Sequence, residues 1–115
     1  MLFLEYPKCT TCQKAKKWLD ARGAVYTDRH IKDEPPTAEE IVRWLKKSGL
    51  PLRRFFNTSG LLYKSLNLKD RLPSMSEEEQ IALLASDGML VKRPILVTED
   101  AVLVGFREEE WERAL

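Results

Sequence analysis

The chain has 115 residues, and its 43% hydrophobic and 32% charged residues are typical of a single globular domain with an ordinary core. Lysines and arginines total 19 against 18 acidic residues, and the net charge of +1 argues against a nucleic acid or an anionic membrane as a direct partner. Because the first residues lack the features of a signal peptide and no segment is long enough to span a bilayer, we expect a cytoplasmic protein with reduced thiols.

A predicted strand and helix frame the only two cysteines of the chain. The apolar run at about Leu2–Tyr6 predicts the strand, and apolar residues at helical spacing predict a helix that ends near Gly23. Cys9 is therefore expected at the helix N-terminus, where unpaired backbone N–H groups and the helix dipole lower the pKa of a thiol. Cys12, one turn further on, is placed to attack a mixed disulfide formed at Cys9. The pair predicts a redox nucleophile and its resolving thiol.

Three alternatives to redox chemistry remain for the cysteine pair. A structural disulfide would close a loop too small to remove much entropy from the unfolded chain. A zinc site needs four ligands, and because His30 is the only histidine, a carboxylate would have to complete it. Two unreactive thiols could also lie close together by coincidence. We prefer the redox interpretation, for which no metal ion and no organic cofactor are expected.

The residues after the first helix predict a second strand. Ala24–Ile31 alternates apolar and polar residues, and a single intervening helix would make this strand parallel to the first. His30 lies in this strand without a neighbouring acid or metal ligand. We therefore expect an exposed or structurally bonded histidine rather than a general base.

The middle of the chain has the pattern of a helical insertion. Thr37 with Glu40, and Ser76 with Glu79, form capping boxes that predict two helices, ending before Gly49 and Gly88 respectively. A further short helix is expected at Ser59–Leu66, preceded by polar residues from Asn57 that either line a site or cap this helix. We expect one domain over residues 1–115 with the helical insertion at about 32–87.

The last third of the chain predicts two strands and a helix. Pro94–Val97 and Ala101–Gly105 form a predicted antiparallel hairpin, and Arg107–Leu115 a closing helix with Trp111 on its buried side. The order β-α-β, helices, β-β-α predicts an α/β fold with one mixed sheet between helices. Cys9 then lies just past the carboxyl end of a strand, a common position for a site in such sheets.

Arg93-Pro94 is the second candidate element of a site. Pro94 cannot donate to a sheet ladder and fits the start of a strand, and a cis bond at this position would turn Arg93 sharply. If the turn faces the cysteine loop, the guanidinium can stabilise a thiolate or hold an oxyanion through two parallel hydrogen bonds. The alternative is a surface arginine beside an edge-strand proline.

With these motifs the chain resembles the ArsC/Spx family of thioredoxin-fold proteins, which includes glutaredoxin-coupled arsenate reductases and the Spx transcription regulators. The resemblance is carried by Tyr6–Ala15, Lys92–Val97 and Val104–Phe106 and covers nearly the whole chain. It implies a thioredoxin-like, mixed four-stranded sheet with an inserted helical segment. It also implies a cis peptide bond before Pro94.

The resemblance extends to individual site residues. In the arsenate reductases the cysteine at the position of Cys9 attacks arsenate, which three arginines surround. Arg93 matches one of these arginines, the second falls at Asn57, and the third falls near Phe106, one place before Arg107. The expected catalytic residues are Cys9, Cys12 and Arg93. The expected substrate-binding residues are Thr10, Thr11, Asn57, Pro94 and Arg107.

Two functions follow from the residues and the resemblance together. The first is a thiol–disulfide oxidoreductase or ArsC-type reductase, re-reduced by thioredoxin, glutaredoxin or a low-molecular-weight thiol. The alternative is an Spx-like regulator, in which the Cys-x-x-Cys pair is a thiol–disulfide switch. Spx binds the RNA polymerase α-subunit partly through a glycine that aligns with Pro51 of this chain.

Overall fold

A four-stranded mixed sheet forms the centre of the protein, whose computed structural model describes residues 1–115. The strand order is β2-β1-β3-β4, with β1 parallel to β2 and antiparallel to β3, and β3 antiparallel to β4. The strands are β1 (Leu2–Glu5), β2 (Thr27–His30), β3 (Ile95–Val97) and β4 (Val102–Val104). The predicted α/β class, parallel first pair and closing hairpin are confirmed, and the second strand is shorter than predicted.

Six α-helices accompany the sheet. They are α1 (Thr10–Ala21), α2 (Ala38–Ser48), α3 (Leu61–Ser65), α4 (Leu68–Arg71), α5 (Glu77–Ser86) and α6 (Glu108–Ala114). Short 3₁₀ turns lie at Leu52–Phe55, Leu72–Ser74 and Gly88–Leu90. The sequence did not predict α4 or the 3₁₀ turns, because segments of three or four residues are too short to show a periodic pattern. None of the helices is both long and apolar enough to cross a membrane.

The predicted helix ends are formed by local hydrogen bonds. The hydroxyls of Thr37 and Ser76 each accept an N–H bond at 3.1 Å from the third helical residue, and both capping boxes are complete. At the end of α1, Gly23 adopts a left-handed φ of 67°, and its N–H donates to the carbonyl of Asp20 at 3.1 Å. These ends are determined by residues adjacent in sequence, which is why the sequence predicted them.

Gly88 follows α5 and makes a close tertiary contact. The predicted end of this helix before Gly88 is confirmed, but Gly88 has no positive φ, and Asp87, which caps the end of α5, is extended. A Cβ atom on Gly88 would instead lie 1.8 Å from the carbonyl oxygen of Ile31. The residue must be glycine because the backbone after β2 packs directly against it.

The two faces of the sheet bury separate cores. Leu4 of β1 and Ile95 of β3 pack with α2 and α5 of the insertion, whereas their neighbours Phe3 and Leu96 pack with α1 and α6. This division follows from the two-residue period of side chains along a strand. Trp111 of α6 is fully buried in the second core, as predicted.

Backbone hydrogen bonds tie the insertion to the chain just before β3. The N–H of Asn57 donates to the carbonyl of Leu90, and the N–H of Lys92 donates to the carbonyl of Phe55, each at 2.8 Å. Between these bonds the two segments form an isolated antiparallel bridge. The insertion is thereby held beside Arg93, at the edge of the sheet where α1 begins.

We predict that Gly88→Ala lowers the free energy of unfolding by more than about 3 kcal/mol, because a Cβ and a backbone oxygen cannot both occupy the same space. Gly23→Ala is the matched control: its Cβ meets nothing within 4 Å, so the left-handed φ alone costs about 1 kcal/mol. Urea unfolding of both variants measures the difference. Equal stabilities for the two variants would contradict the proposed packing.

Candidate active site

Cys9 is the residue at which the chain passes from β1 into α1. Its N–H donates to the carbonyl of Tyr6 at 2.9 Å, and its own carbonyl accepts the first helical bond from Gln13 at 3.0 Å. Its backbone is extended, with φ −86° and ψ 122°, as is usual for the residue that caps a helix N-terminus. Cys9 therefore occupies the predicted position, with the free N–H groups of the first turn beside its side chain.

The pKa of Cys9 lies below its ordinary value. Burial of this half-buried thiol raises the pKa, but the backbone N–H and the thiol of Cys12 lower it. The N–H of Thr11 and the positive charge of Arg93 lower it further and, together with Cys12, outweigh burial. Although no group forms a conventional capping hydrogen bond with the sulfur, donors and one cation surround it. They favour the thiolate form.

Cys12 has the opposite environment. Its exposed fraction is 0%, and burial is the main cause that raises its pKa to about 12. The hydrogen bond with Cys9 and the charge of Cys9 raise it further, whereas the N–H of Tyr6 and the charge of Arg93 partly oppose this. Two thiols three residues apart thus differ in access to solvent and in acidity.

Arg93 faces the cysteine loop. Its guanidinium lies 5.3 Å from the ring centre of Tyr6, and Nη1 donates to the carbonyl of Met89 at 3.3 Å. Its Nε is buried without a hydrogen-bond partner, and the Arg93–Pro94 peptide bond is cis, as the resemblance implies. The alternative of an arginine beside an edge strand is wrong, because β3 lies between β1 and β4.

A cavity of about 570 Å³ opens at Cys9. Besides Cys9, its lining includes Arg93, Thr11, Asn57 and Lys92, contributed by the segment before β3, by α1 and by the insertion. Three distant parts of the chain therefore meet around one sulfur. We call this space the cysteine cavity.

Asn57 lines the cysteine cavity as a buried residue with an exposed fraction of 9%. Its carbonyl accepts the N–H of Gly60 at 3.1 Å, and its Oδ1 accepts the hydroxyl of Ser59 at 3.4 Å. The helix-capping interpretation of these polar residues is wrong, because Gly60 is the N-terminal cap of α3 and no side chain caps it. Their bonds shape the wall of the cavity.

A second cleft of about 250 Å³ adjoins the cysteine cavity and shares Thr11 and Lys92 with it. Its charged lining residues are Arg53, Arg54, Lys92 and Arg107, and we call it the basic cleft. Arg107 therefore lines this cleft and not the cysteine cavity. The arginines of the insertion were missed by the sequence interpretation, for which the only signal was an adjacent pair, Arg53-Arg54, in a chain of net charge +1.

Thr10 and Pro94, which were expected to bind substrate, do not line the cysteine cavity. Thr10 is exposed on the first turn of α1, and Pro94 is buried with its carbonyl accepting the N–H of Gly105 at 2.8 Å. The Nδ1 of His30 accepts the N–H groups of Lys32 and Asp33, each at 3.2 Å. The prediction of a structurally bonded histidine is confirmed.

A carboxyl group on the α1 side of the sheet was also missed. Glu5 ends β1 with an exposed fraction of 4%, and burial together with Asp28 raises its pKa to about 7. Lys16 lies 3.4 Å from Glu5 and 2.6 Å from Asp28, and the interaction with Asp28 raises the pKa of Lys16. The available signal was an acidic residue at the end of an otherwise apolar strand.

No group of three or more His, Cys, Asp or Glu side chains is arranged to hold a metal ion.

A mixed sheet of this order, with a Cys-x-x-Cys loop after its first strand and a cis-proline before its third, defines a protein of thioredoxin-like fold. The family model described as "ArsC family" matches residues 4–114. The chain belongs to the ArsC family.

Two similar proteins align with nearly the whole of this chain. YusI of Bacillus subtilis (strain 168) is 53% identical over 97% of this chain and 95% of its own length. The global transcriptional regulator Spx of Staphylococcus haemolyticus is 33% identical over 95% of this chain and 82% of its own. The resemblance to the ArsC/Spx family is confirmed.

Solved structures agree in fold. An ArsC family related protein from Bacteroides fragilis has a TM-score of 0.96 and 60% identity, covering 99% of this chain and 96% of that one. An arsenate reductase from Vibrio cholerae has a TM-score of 0.88 and 26% identity, with coverages of 99% and 96%. Reductases and regulators therefore both occur among the proteins that this chain resembles.

We predict that neutral iodoacetamide modifies Cys9 of the native protein with a pH midpoint below the ordinary cysteine range, and leaves Cys12 unmodified. Arg93→Gln removes a positive charge that favours the thiolate, so the midpoint of Cys9 moves to higher pH. Mass spectrometry of peptides after timed alkylation measures both sites.

Lys14→Gln is the control for that experiment, because it removes an exposed positive charge of α1 that is not among the main causes of the lowered pKa of Cys9. The pH midpoint for alkylation of Cys9 in Lys14→Gln should equal the midpoint in the unmodified chain. Equal shifts in Arg93→Gln and Lys14→Gln would show that net charge, and not the position of Arg93, controls the thiol.

Proposed function

We propose that the protein is a thiol–disulfide oxidoreductase of the ArsC family that acts in the cytoplasm as a single domain over residues 1–115, with the insertion at about 32–87. Cys9 is the nucleophile, Cys12 the resolving thiol and Arg93 the cation that stabilises the anionic sulfur. The observation that carries this proposal is the difference between the two sulfurs: Cys9 lines the cysteine cavity, and Cys12 is fully buried.

In the first step, the Cys9 thiolate attacks one sulfur of a disulfide R–S–S–R. A Cys9–S–S–R bond forms, the original S–S bond breaks, and R–S⁻ leaves with the electron pair and takes a proton from water. The first-turn N–H groups and Arg93 lower the pKa of Cys9 and so favour the thiolate that attacks.

In the second step, Cys12 gives its proton to water and attacks the sulfur of Cys9. The Cys9–Cys12 bond forms, the Cys9–S–R bond breaks, and the second R–S⁻ leaves with the electron pair and takes up a proton. Once Cys9 is part of a mixed disulfide, its negative charge and its hydrogen bond no longer raise the pKa of Cys12. The resolving thiol thus becomes more acidic when its thiolate is required. The protein is left oxidised by two electrons, in the form of the Cys9–Cys12 disulfide. Thioredoxin, glutaredoxin or a low-molecular-weight thiol then reduces this disulfide by thiol–disulfide exchange.

Substrate contacts are proposed for the residues that line the cysteine cavity, Thr11 and Asn57. Arsenate is the substrate named for the similar structure from Vibrio cholerae, but we favour disulfides here. Of the three arginine positions implied by the resemblance, only Arg93 lines the cavity, since Asn57 occupies one and Arg107 lines the basic cleft.

Counting the protein thiols that react with a small disulfide tests this proposal directly. With excess 2,2′-dithiodipyridine, a neutral disulfide, the reduced protein should rapidly release two equivalents of pyridine-2-thione, one for each step. Cys12→Ser should release one equivalent and stop at the mixed disulfide, and Cys9→Ser should release none on this timescale because Cys12 is buried. Absorbance of the thione in a stopped-flow instrument gives both the rate and the count.

In urea, Cys9→Ser should react fully, which confirms that Cys12 is present and reduced. A native Cys9→Ser protein that releases thione as fast as the unmodified chain would contradict the assignment of Cys9 as nucleophile.

An Spx-like regulator is the second candidate, favoured by the 33% identity to Spx over 95% of this chain. The two functions give opposite results with purified RNA polymerase α-subunit. The measurement is a pull-down at low salt with the immobilised chain in its oxidised and its reduced form. An oxidoreductase should bind no more α-subunit after oxidation of Cys9 and Cys12 than after reduction. Binding that depends on the oxidation state, without turnover of disulfides, would support the regulator instead.

A further inference from the structure

The basic cleft gathers positive charge without any internal partner. Arg53, Arg54, Lys92 and Arg107 line it, and no acidic residue does. None of these four residues takes part in an ion pair of the structure. Like charges in one concave surface repel one another and concentrate the local potential, so the cleft attracts anions. This is notable in a chain whose overall charge is only +1.

The cleft is positioned by the fold rather than by chance contact of surface side chains. Phe55 and Asn57, which follow the two arginines, are fixed to the segment before β3 by the two backbone bonds described above. Phe56 is buried and Phe106 half-buried, and these aromatic rings form an apolar part of the wall. The cleft therefore combines cations with an apolar part of its wall.

The cleft continues from the site of the proposed chemistry. Thr11 and Lys92 line both the basic cleft and the cysteine cavity, so a ligand whose sulfur is at Cys9 can extend into the cleft. Thr11 is also one of the residues whose N–H lowers the pKa of Cys9.

We propose that the basic cleft binds the acidic groups of the substrate: a low-molecular-weight disulfide in which each thiol carrier bears at least one negative charge. This inference rests on the proposed oxidoreductase function and adds the substrate class to it. The sulfur lies at Cys9, and the carboxylates or other acid groups of the carrier contact Arg53, Arg54 and Arg107. A neutral disulfide reaches Cys9 without using the cleft.

The electron balance is that of the two exchange steps already given, with two acidic thiols as products and the Cys9–Cys12 disulfide as the oxidised form of the protein. The cleft contributes to binding and not to the bond changes.

The test compares a dianionic with a neutral disulfide on the full chain. Reduced protein is mixed with 5,5′-dithiobis(2-nitrobenzoate), which carries two carboxylates, or with 2,2′-dithiodipyridine, and second-order rate constants are measured by stopped flow. Arg53→Gln combined with Arg54→Gln should slow the dianion roughly five- to tenfold and leave the neutral disulfide unchanged. Added salt should slow only the dianion, and less so in the double variant.

The matched control is Arg43→Gln combined with Lys46→Gln, which removes the same charge from exposed positions of α2 outside the cleft. It should react with both disulfides as the unmodified chain does. Equal slowing of the dianion by the two double variants, or no slowing by Arg53→Gln with Arg54→Gln, would overturn the cleft assignment while leaving the oxidoreductase proposal intact.

A binding measurement separates the cleft from the chemistry. Calorimetric titration of the Cys9→Ser chain with 5,5′-dithiobis(2-nitrobenzoate) should show salt-sensitive binding that the arginine double variant loses. If the neutral disulfide reacts no faster with the native chain than with unfolded chain, the oxidoreductase proposal fails, and the titration still decides whether the cleft binds the dianion.

Discussion

The contact between one sulfur and the first turn of a helix determines the rest of this site. Cys9 caps α1, so the N–H groups that no helical carbonyl can satisfy lie beside its side chain. Cys12, on the next turn, is buried and becomes resistant to ionisation. The environment at the start of this helix thus lowers the pKa of one thiol and raises that of the other, which matches their proposed roles as attacking and resolving thiol.

The tertiary structure adds charge to this local contrast. Arg93 is placed at the cysteine loop by an interior strand, and the insertion, hydrogen-bonded to the segment before that strand, brings Asn57 to the same cavity. Positive charge then continues from the cavity into the basic cleft. Among the acidic residues only Asp87 lines the cysteine cavity and none lines the basic cleft, so both spaces have more basic than acidic lining residues in a chain of net charge +1.

Function in the ArsC family cannot be transferred as a whole, since similar proteins include both reductases and regulators. The fold alone supports either. What distinguishes them physically is the use of the disulfide: a reductase needs an open path to Cys9 and a place for the substrate, whereas a regulator needs a surface that changes with oxidation. The cysteine cavity and its basic extension favour the first use.

The sequence by itself determined the features that depend on neighbours in the chain. The capping boxes at Thr37 and Ser76, the left-handed Gly23, the placement of Cys9 and the alternation of the strands all follow from local bonds or side-chain periods. Only the tertiary structure decided that Gly88 meets the backbone of the distant residue Ile31, and that Asn57 lines the cavity instead of capping a helix. It also placed the basic cleft, because that cleft is formed by residues some 40 positions apart in sequence, and no local pattern specifies which distant side chains meet.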